Sequence, residues 1–321
     1  MKAFITAEIH ADGLQILQQA GIGYDLWPHK YTMPQEQLIE ICKGYDALLS
    51  TGANNLNKTF LEQSRHLKAL ALHAVGYDNV DIATATALRI PVGNTPGVLS
   101  QATADTAFLL MLATSRKAFY LHKTINKGEW KFFDPIANLG MELKGKTLGI
   151  YGLGAIGFVM AEQCKAAYGM KIIYHNRHRN EKAEQSLGAE FVSFDNLLRQ
   201  SDVLSVHCAL TAETKHRFNL DAFRQMKPSS IFINTARGGI HVEEDLRTAL
   251  GQNYIWGAGL DVTNPEPMMV GNPLLDMPNV CILPHIGSAT VEARSAMSRL
   301  AAENIVAIKE GRKMPNWVNP F

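Results

Sequence analysis

The sequence predicts an α/β protein of two doubly wound domains, one inserted into the other. Three observations carry this. Short β-branched runs alternate with helical stretches along almost all of the 321 residues, the pattern of parallel strands joined by helical crossovers. The alternation comes as two series, the second starting at Thr147. Two long helical patterns, about Ser100–Thr124 and Ala289–Gly311, bracket the second series, so the chain leaves the first domain once and returns to it at its end. The boundaries that follow are 1–99 with 287–321 for the discontinuous domain and 100–286 for the inserted one, with the two helices as the hinge.

In the first series, Lys2–Ala7 reads as a strand and Asp12–Ala20 as a helix ending at Gly21. Ala47–Ser50 and Ala69–Leu72 read as buried strands, each preceded by an amphipathic segment. Ser100 is placed to cap the long helix that follows, and the loop Gly128–Gly145, with Trp130, Phe132 and Phe133, closes the block. The second series offers strands at Thr147–Tyr151, Lys171–His175, Val203–His207, Ser230–Asn234, Gly257–Asp261 and Val280–Pro284. Helical stretches at Phe158–Tyr168, Asp195–Gln200, Asn219–Met226 and Val242–Leu250 separate them. No internal repeat or low-complexity linker interrupts the pattern.

Bulk properties exclude several classes. Apolar residues make up 46% and charged residues 19%, and the formal net charge is +1. This is ordinary globular composition, without a field that favours nucleic acid or an anionic membrane. No run approaches the ~18 apolar residues of a spanning helix, and the N-terminus lacks a signal-peptide pattern. Cys42, Cys164, Cys208 and Cys281 are scattered and form no CxxC, so they read as buried thiols of a cytoplasmic protein. His175-x-x-His178 has no third ligand, and no metal site is assigned.

Gly152-Leu-Gly154-Ala155-Ile156-Gly157 follows the apolar strand Thr147–Tyr151 directly and opens a helix, the context that a dinucleotide fingerprint demands. Gly152 permits the tight turn, Gly154 leaves room for the pyrophosphate, and Gly157 lets the helix pack on the strand. The end of the next strand selects the cofactor. NAD enzymes usually hold the ribose 2′-hydroxyl there with Asp or Glu. Here Asn176-Arg177-His178-Arg179 follows instead. Arg177 and Arg179 can pair with a 2′-phosphate, which points to NADP(H), with NAD(H) as the alternative. The bland reading is a solvated basic loop.

Three later segments place polar groups at strand ends: Asn234-Thr235-Ala236-Arg237-Gly-Gly, Asp261-Val-Thr-Asn-Pro-Glu266-Pro and Leu-Pro-His285-Ile-Gly287-Ser-Ala-Thr. Ligands of open α/β sheets bind outside the carboxyl ends of strands, so Arg237, Glu266 and His285 are expected to converge. A histidine titrates near neutrality and suits a general acid/base. Glu266 would stabilise its charged form, and the Arg237 fork suits a 2-oxo acid and the charge developing on its reacting oxygen. Each residue also has a bland reading. His285 is one of eleven histidines, Glu266 sits between prolines, and Arg237 precedes a Gly pair.

These segments, in this order, resemble the D-isomer-specific 2-hydroxyacid dehydrogenase family. Val75-Gly-Tyr-Asp-Asn-Val-Asp81, Asn94-Thr-Pro-Gly97, Val206-His207 and Met226-Lys-Pro extend the likeness over nearly the whole chain. The sequence is most similar to the glyoxylate/hydroxypyruvate reductase and 2-ketogluconate reductase branch. The resemblance implies a Rossmann-type cofactor domain inserted in a discontinuous flavodoxin-like substrate domain, reduction of a small 2-oxo acid to the D-2-hydroxy acid with NADPH, and a homodimer. It implies that the backbone N–H groups of Val75 and Gly76 hold the substrate carboxylate, with Asn54 and Asn55 near the pocket, and that domain closure excludes water. It further implies cofactor contacts at Thr103, His207 and Cys208 on the adenosine side, Thr235, Ala236 and Gly287, with Asp261 orienting the nicotinamide carboxamide. Trp130, Phe132 and Phe133 become core or dimer-arm aromatics. Departures are Ala209 for a common proline, Asp105 for Glu in the hinge helix, and Glu243 after Val242 where Asp is usual. The competing readings are an NAD-preferring lactate- or phosphoglycerate-type relative and a non-catalytic dinucleotide-sensing corepressor.

Overall fold

A computed structural model describes residues 1–52 and 54–321. The chain divides into two units, Met1–Leu99 with Ala289–Phe321 and Ser100–Ser288. The return crossing thus lies two residues beyond the boundary drawn from the sequence.

The first unit holds a parallel sheet of β1 (Lys2–Ile5), β2 (Gly23–Leu26), β3 (Ala47–Ser50), β4 (Ala69–Leu72) and β5 (Val92–Gly93). Its order, β2-β1-β3-β4-β5, is the flavodoxin-like doubly wound order. Alternation along the strands sorts the side chains into two cores. Phe4, Leu48 and Leu70 enter one with Leu38 and Phe60. Ala3, Ala47, Ala69 and Ala71 enter the other, beneath Ala301, Ala302 and Ile305 of the helix Val291–Lys309. The small residues let that helix lie close. A Cβ on Gly13, in the helix Ala11–Gln19, would stand 2.5 Å from the Ser298 carbonyl oxygen. The C-terminal tail then returns to β5, where Asn319 Oδ1 accepts the Val92 N–H at 2.8 Å.

The second unit holds β6 (Thr147–Tyr151), β7 (Lys171–His175), β8 (Glu190–Phe191), β9 (Val203–Val206), β10 (Ile231–Asn234), β11 (Gly257–Leu260) and β12 (Val280–Ile282). All pairs are parallel, in the order β12-β11-β10-β9-β6-β7-β8. The chain winds outward from β6 through β8, then returns to β9 and winds the other way. The switch point therefore falls between β6 and β9, where such sheets bind their ligands.

One expected element is corrected. The helix drawn from Ser100 to Thr124 is two helices, Ser100–Ser115 and Ala118–Asn126, broken at Lys117 with φ 54. The cause is a distant segment. Met141 N–H bonds the Ser115 carbonyl at 2.8 Å, and a Cβ on Gly140 would lie 2.4 Å from that oxygen. The chain at 140–141 crosses the helix end and takes the carbonyl that would have continued it.

Candidate active site

The glycine loop lies at the switch point. Gly152 has φ +99, and a Cβ there would meet the Cys208 nitrogen at 2.5 Å. The loops after β6 and β9 can approach this closely only without a side chain. A Cβ on Gly157 would press on the Gly152 oxygen at 2.9 Å, whereas one on Gly154 would meet nothing within 4 Å. Gly154 thus fronts open space at the start of the helix Ala155–Tyr168, and no side chain caps that helix. The first-turn N–H groups of Ala155, Ile156 and Gly157 are left for an anion. The buried Thr235 hydroxyl, at the end of β10, has no partner among the described residues. These features fit a dinucleotide.

Around the adenosine-side positions, the His207 imidazole is enclosed. Its Nε2 pairs with Ser205 Oγ at 2.8 Å, and its Nδ1 has no partner among the described residues. Burial pushes its pKa down to about 4, and burial pushes the Cys208 thiol up to about 12, so both are neutral at pH 7.

In the loop after β7, two of the expected cofactor residues also bond within the protein. Asn176 does not face outward. Its Oδ1 accepts the Leu153 N–H at 2.6 Å and its Nδ2 donates to the Leu153 oxygen at 3.2 Å, so the amide rivets β7 to the glycine loop. Arg179 is closed on Glu184 by Nε–Oε1 and Nη2–Oε2 bonds of 3.0 and 2.7 Å. Arg177 is exposed, and its charge contributes to holding the Glu213 carboxyl low, after the larger effects of hydrogen bonds from Thr211 and the backbone.

The three strand-end segments after β10, β11 and β12 are tied together by backbone. Asn234 organises the first. Its Oδ1 accepts the Ala236 N–H at 3.0 Å, and its Nδ2 donates to the Arg237 oxygen at 2.9 Å and toward His241 Nδ1 at 3.1 Å. Arg237 is half-buried, with Nη1 on the Ala236 oxygen at 2.7 Å. A Cβ on Gly238 would overlap the Thr263 oxygen at 1.9 Å, so glycine is what lets the segment carrying Glu266 run across the Arg237 turn. Glu243 anchors the far side of that segment through Asn272 Nδ2 at 2.6 Å.

Asp261 has a role that the sequence reading did not assign. Both of its buried carboxylate oxygens are used within the protein, accepting the Ile286 N–H at 2.8 Å and the Gly287 N–H at 2.7 Å. Its own carbonyl accepts the His285 N–H at 2.9 Å. Burial raises its pKa, against those hydrogen bonds. Asp261 therefore clamps the His285 loop. Thr103 and Gly287 lie beside it, with the Thr103 methyl 3.3 Å from where a Gly287 Cβ would be.

Held this way, His285 directs Nδ1 onto Glu266 Oε1. The two side chains are 45% and 40% exposed, open to a ligand. Burial pushes the Glu266 carboxyl up, but the His285 hydrogen bond and the charges of His285 and Arg237 outweigh it, and the net shift is downward. Glu266 is thus ionised at neutral pH, and its charge is felt by both Arg237 and His285.

Val75 and Gly76 belong to the other unit, just beyond β4. Their segment is fixed through its carbonyls: Ala74 O takes the Thr95 N–H at 2.9 Å and Val75 O takes Asn94 Nδ2 at 2.8 Å. Neither the Val75 nor the Gly76 N–H donates to another described residue. Asn54 is buried and accepts Ser50 Oγ at 3.3 Å, while Asn55 is exposed. Asn234 and Glu184 were given no role from the sequence, and Glu243 was noted only as a departure from the family pattern. Asn234 left a trace as the residue three before Arg237.

A glycine-loop sheet with a carboxylate-paired histidine and an arginine on its strand-end loops defines a nicotinamide-dinucleotide-dependent dehydrogenase. The model of the D-isomer specific 2-hydroxyacid dehydrogenase NAD-binding domain matches residues 108–287. The chain is 43% identical to the glyoxylate reductase of Thermococcus litoralis, over 99% of this chain and 96% of that one. It superposes on the glyoxylate reductase from Paecilomyes thermophila with a TM-score of 0.87 at 33% identity, covering 99% and 98% of the two chains. It superposes on an NADPH-dependent glyoxylate/hydroxypyruvate reductase from Sinorhizobium meliloti, solved with NADP and malonate, with a TM-score of 0.85 at 30% identity, covering 99% and 96%. The chain belongs to the D-isomer-specific 2-hydroxyacid dehydrogenase family, in its glyoxylate/hydroxypyruvate reductase branch. It is an NAD(P)-dependent enzyme acting on a small 2-oxo acid.

Proposed function

We propose that the enzyme reduces a 2-oxo acid of the glyoxylate, hydroxypyruvate or 2-ketogluconate class to the D-2-hydroxy acid with NADPH, using His285 as the general acid. The observation that carries this is the pairing of His285 Nδ1 with the ionised Glu266 beside Arg237. The nicotinamide, when bound at the glycine loop, supplies the hydride. Arg237 binds the carboxylate and carbonyl oxygens of the substrate and stabilises the charge that develops on the carbonyl. His285 carries its transferable proton on Nε2, because Nδ1 is committed to Glu266, and delivers it to the alkoxide oxygen. The ionised Glu266 then stabilises the imidazolium until it is spent and helps it reload.

NADPH is favoured by what the end of β7 lacks. No carboxylate stands at residues 176–179 to hold a 2′-hydroxyl, and Arg177 is exposed at that end of the strand. The test is a kcat/KM panel of the three acids with both cofactors, on wild type and Arg177→Ala. The variant should raise KM for NADPH about tenfold or more, the scale of one charge-assisted hydrogen bond, and leave NADH nearly unchanged. Equal effects on both cofactors would remove the assignment.

The same reading includes a homodimer. Trp130, Phe132 and Phe133 are 71–83% exposed, with Ile136 and Leu139 beside them in sequence and also exposed. An apolar cluster of this kind marks an interface, and the occupant assigned is a second copy. A monomeric mass in sedimentation would contradict it. The unpaired thiols fit the cytoplasm.

A further inference from the structure

The loop after β7 holds a pair that cofactor binding alone does not explain. Arg179 lies where a 2′-phosphate is read in this fold, yet one bidentate edge of its fork, Nε with Nη2, is turned to a carboxylate. Glu184 takes Nε and Nη2 together. Glu184 is no loose surface group. Its side chain is 20% exposed, against 65% for Arg179. Its Oε1 also accepts the hydroxyl of buried Tyr174 at 2.5 Å. That hydroxyl accepts the Asn180 N–H at 2.8 Å, and Asn180 Nδ2 donates to the Leu153 oxygen at 2.9 Å. The acid is therefore built into the framework that fixes the glycine loop itself.

We propose that Glu184 is a specificity-determining residue that limits the preference for NADPH over NADH by withholding Arg179 from the 2′-phosphate. This rests on the NADPH reading, which places that phosphate at residues 177–179. A guanidinium engaged bidentately by one carboxylate cannot offer the same edge to a phosphate. The retained negative charge also opposes a second anion arriving beside it. A ribose 2′-hydroxyl carries no charge, so NADH is indifferent to both effects. Glu184 thus acts against one cofactor only, and leaves Arg177 as the cation that the phosphate finds.

The test reads binding without turnover. Dissociation constants of 2′,5′-ADP, 5′-AMP, NADPH and NADH are measured by calorimetry on the full chain. Glu184→Gln keeps an acceptor for the Tyr174 hydroxyl and removes the charge. The expected result is about tenfold tighter 2′,5′-ADP and NADPH, the scale of one charge-assisted hydrogen bond from the released Arg179, with 5′-AMP and NADH unchanged. Adding Arg179→Ala should remove most of the improvement. Unchanged or weaker 2′,5′-ADP binding in Glu184→Gln, with NADH binding intact as the check on folding, overturns the proposal. Arg177→Ala keeps the two readings apart. If it loses 2′,5′-ADP while Glu184→Gln binds it no tighter, only the role of Glu184 falls. If none of the variants responds, the placement of the phosphate falls, and the proposal with it.

Discussion

His285 stands on a left-handed backbone, φ 55, a conformation that few non-glycine residues hold. Asp261 supplies the restraint with three bonds to residues 285–287. The orientation of the imidazole is thereby set by a buried carboxylate 24 residues earlier in the chain, and Glu266 meets it from the segment between. Arg237, Glu266 and His285 were legible in the sequence because each follows a clear buried strand, and strand ends are where such sheets act. The bonds that Asn176 and Arg179 make within the protein were not legible, for a common reason. A side chain at a ligand-facing end can be spent on the protein, and the partners, Leu153 and Glu184, carry no sequence signal. The pH behaviour follows from Glu266. Its carboxyl is held below the ordinary carboxylate range, so Glu266 stays ionised through that range and loses its charge only as pH falls through the depressed value. Glu266→Gln should lower kcat for reduction by about ten- to a hundredfold, within the usual span of acid–base contributions, while KM for NADPH stays put. A rise in that KM with unchanged kcat would show that Glu266 does not serve the proton.

Helix starts separate function from stability among the elements. Asn57, Asp81, Asn180, Ser193, Asn219 and Thr290 each accept a backbone N–H at the start of their helices. The helix Ala155–Tyr168 has no such cap at Gly154, where a cap would occupy the N–H groups that a phosphate needs. The helix Glu243–Gly251 also lacks one, with Val242 at the cap position in an extended conformation, and nothing in the structure turns that gap to use. Val242→Thr keeps the side-chain shape and adds the oxygen, and should stabilise the protein by about 1 kcal/mol, read as a higher denaturant midpoint with kcat unchanged. An unchanged midpoint would mean that the first-turn N–H groups are already satisfied. The strands missing from the sequence reading are β2, β5 and β8. β5 and β8 have two residues each, and β2 and β8 are partly or wholly exposed, so neither hydrophobic run nor alternation marks them. The break at Lys117 was hidden because its cause, Gly140–Met141, lies a loop away.

Across the whole molecule, each unit buries a neutral histidine. His73 is 5% exposed, bonded to Ser298 Oγ at 2.9 Å, and pushed to about 4 by burial and then by the nearby Arg294 charge. His241 is 1% exposed and pushed to about 4 by burial and then by His216. With His207, three groups have folded values below the unfolded one. Below about pH 6.5 the unfolded chain takes up protons that the folded chain refuses, so stability is full above that pH and falls as pH drops toward 4, by up to about 1.4 kcal/mol per unit for each histidine. Melting temperatures from pH 7 to 4 should show this slope, and His73→Asn should flatten it; a flat wild-type profile would deny that these histidines are buried neutral. The two-series architecture itself was legible, since both sheets are wound from buried central strands. The proposed reduction turns on one proton. In His285→Gln, turnover of 2-oxo acid with NADPH should fall by a factor on the order of a hundred or more while the dissociation constant of NADPH is unchanged. Turnover near the wild-type rate would place the proton donor elsewhere and contradict the account.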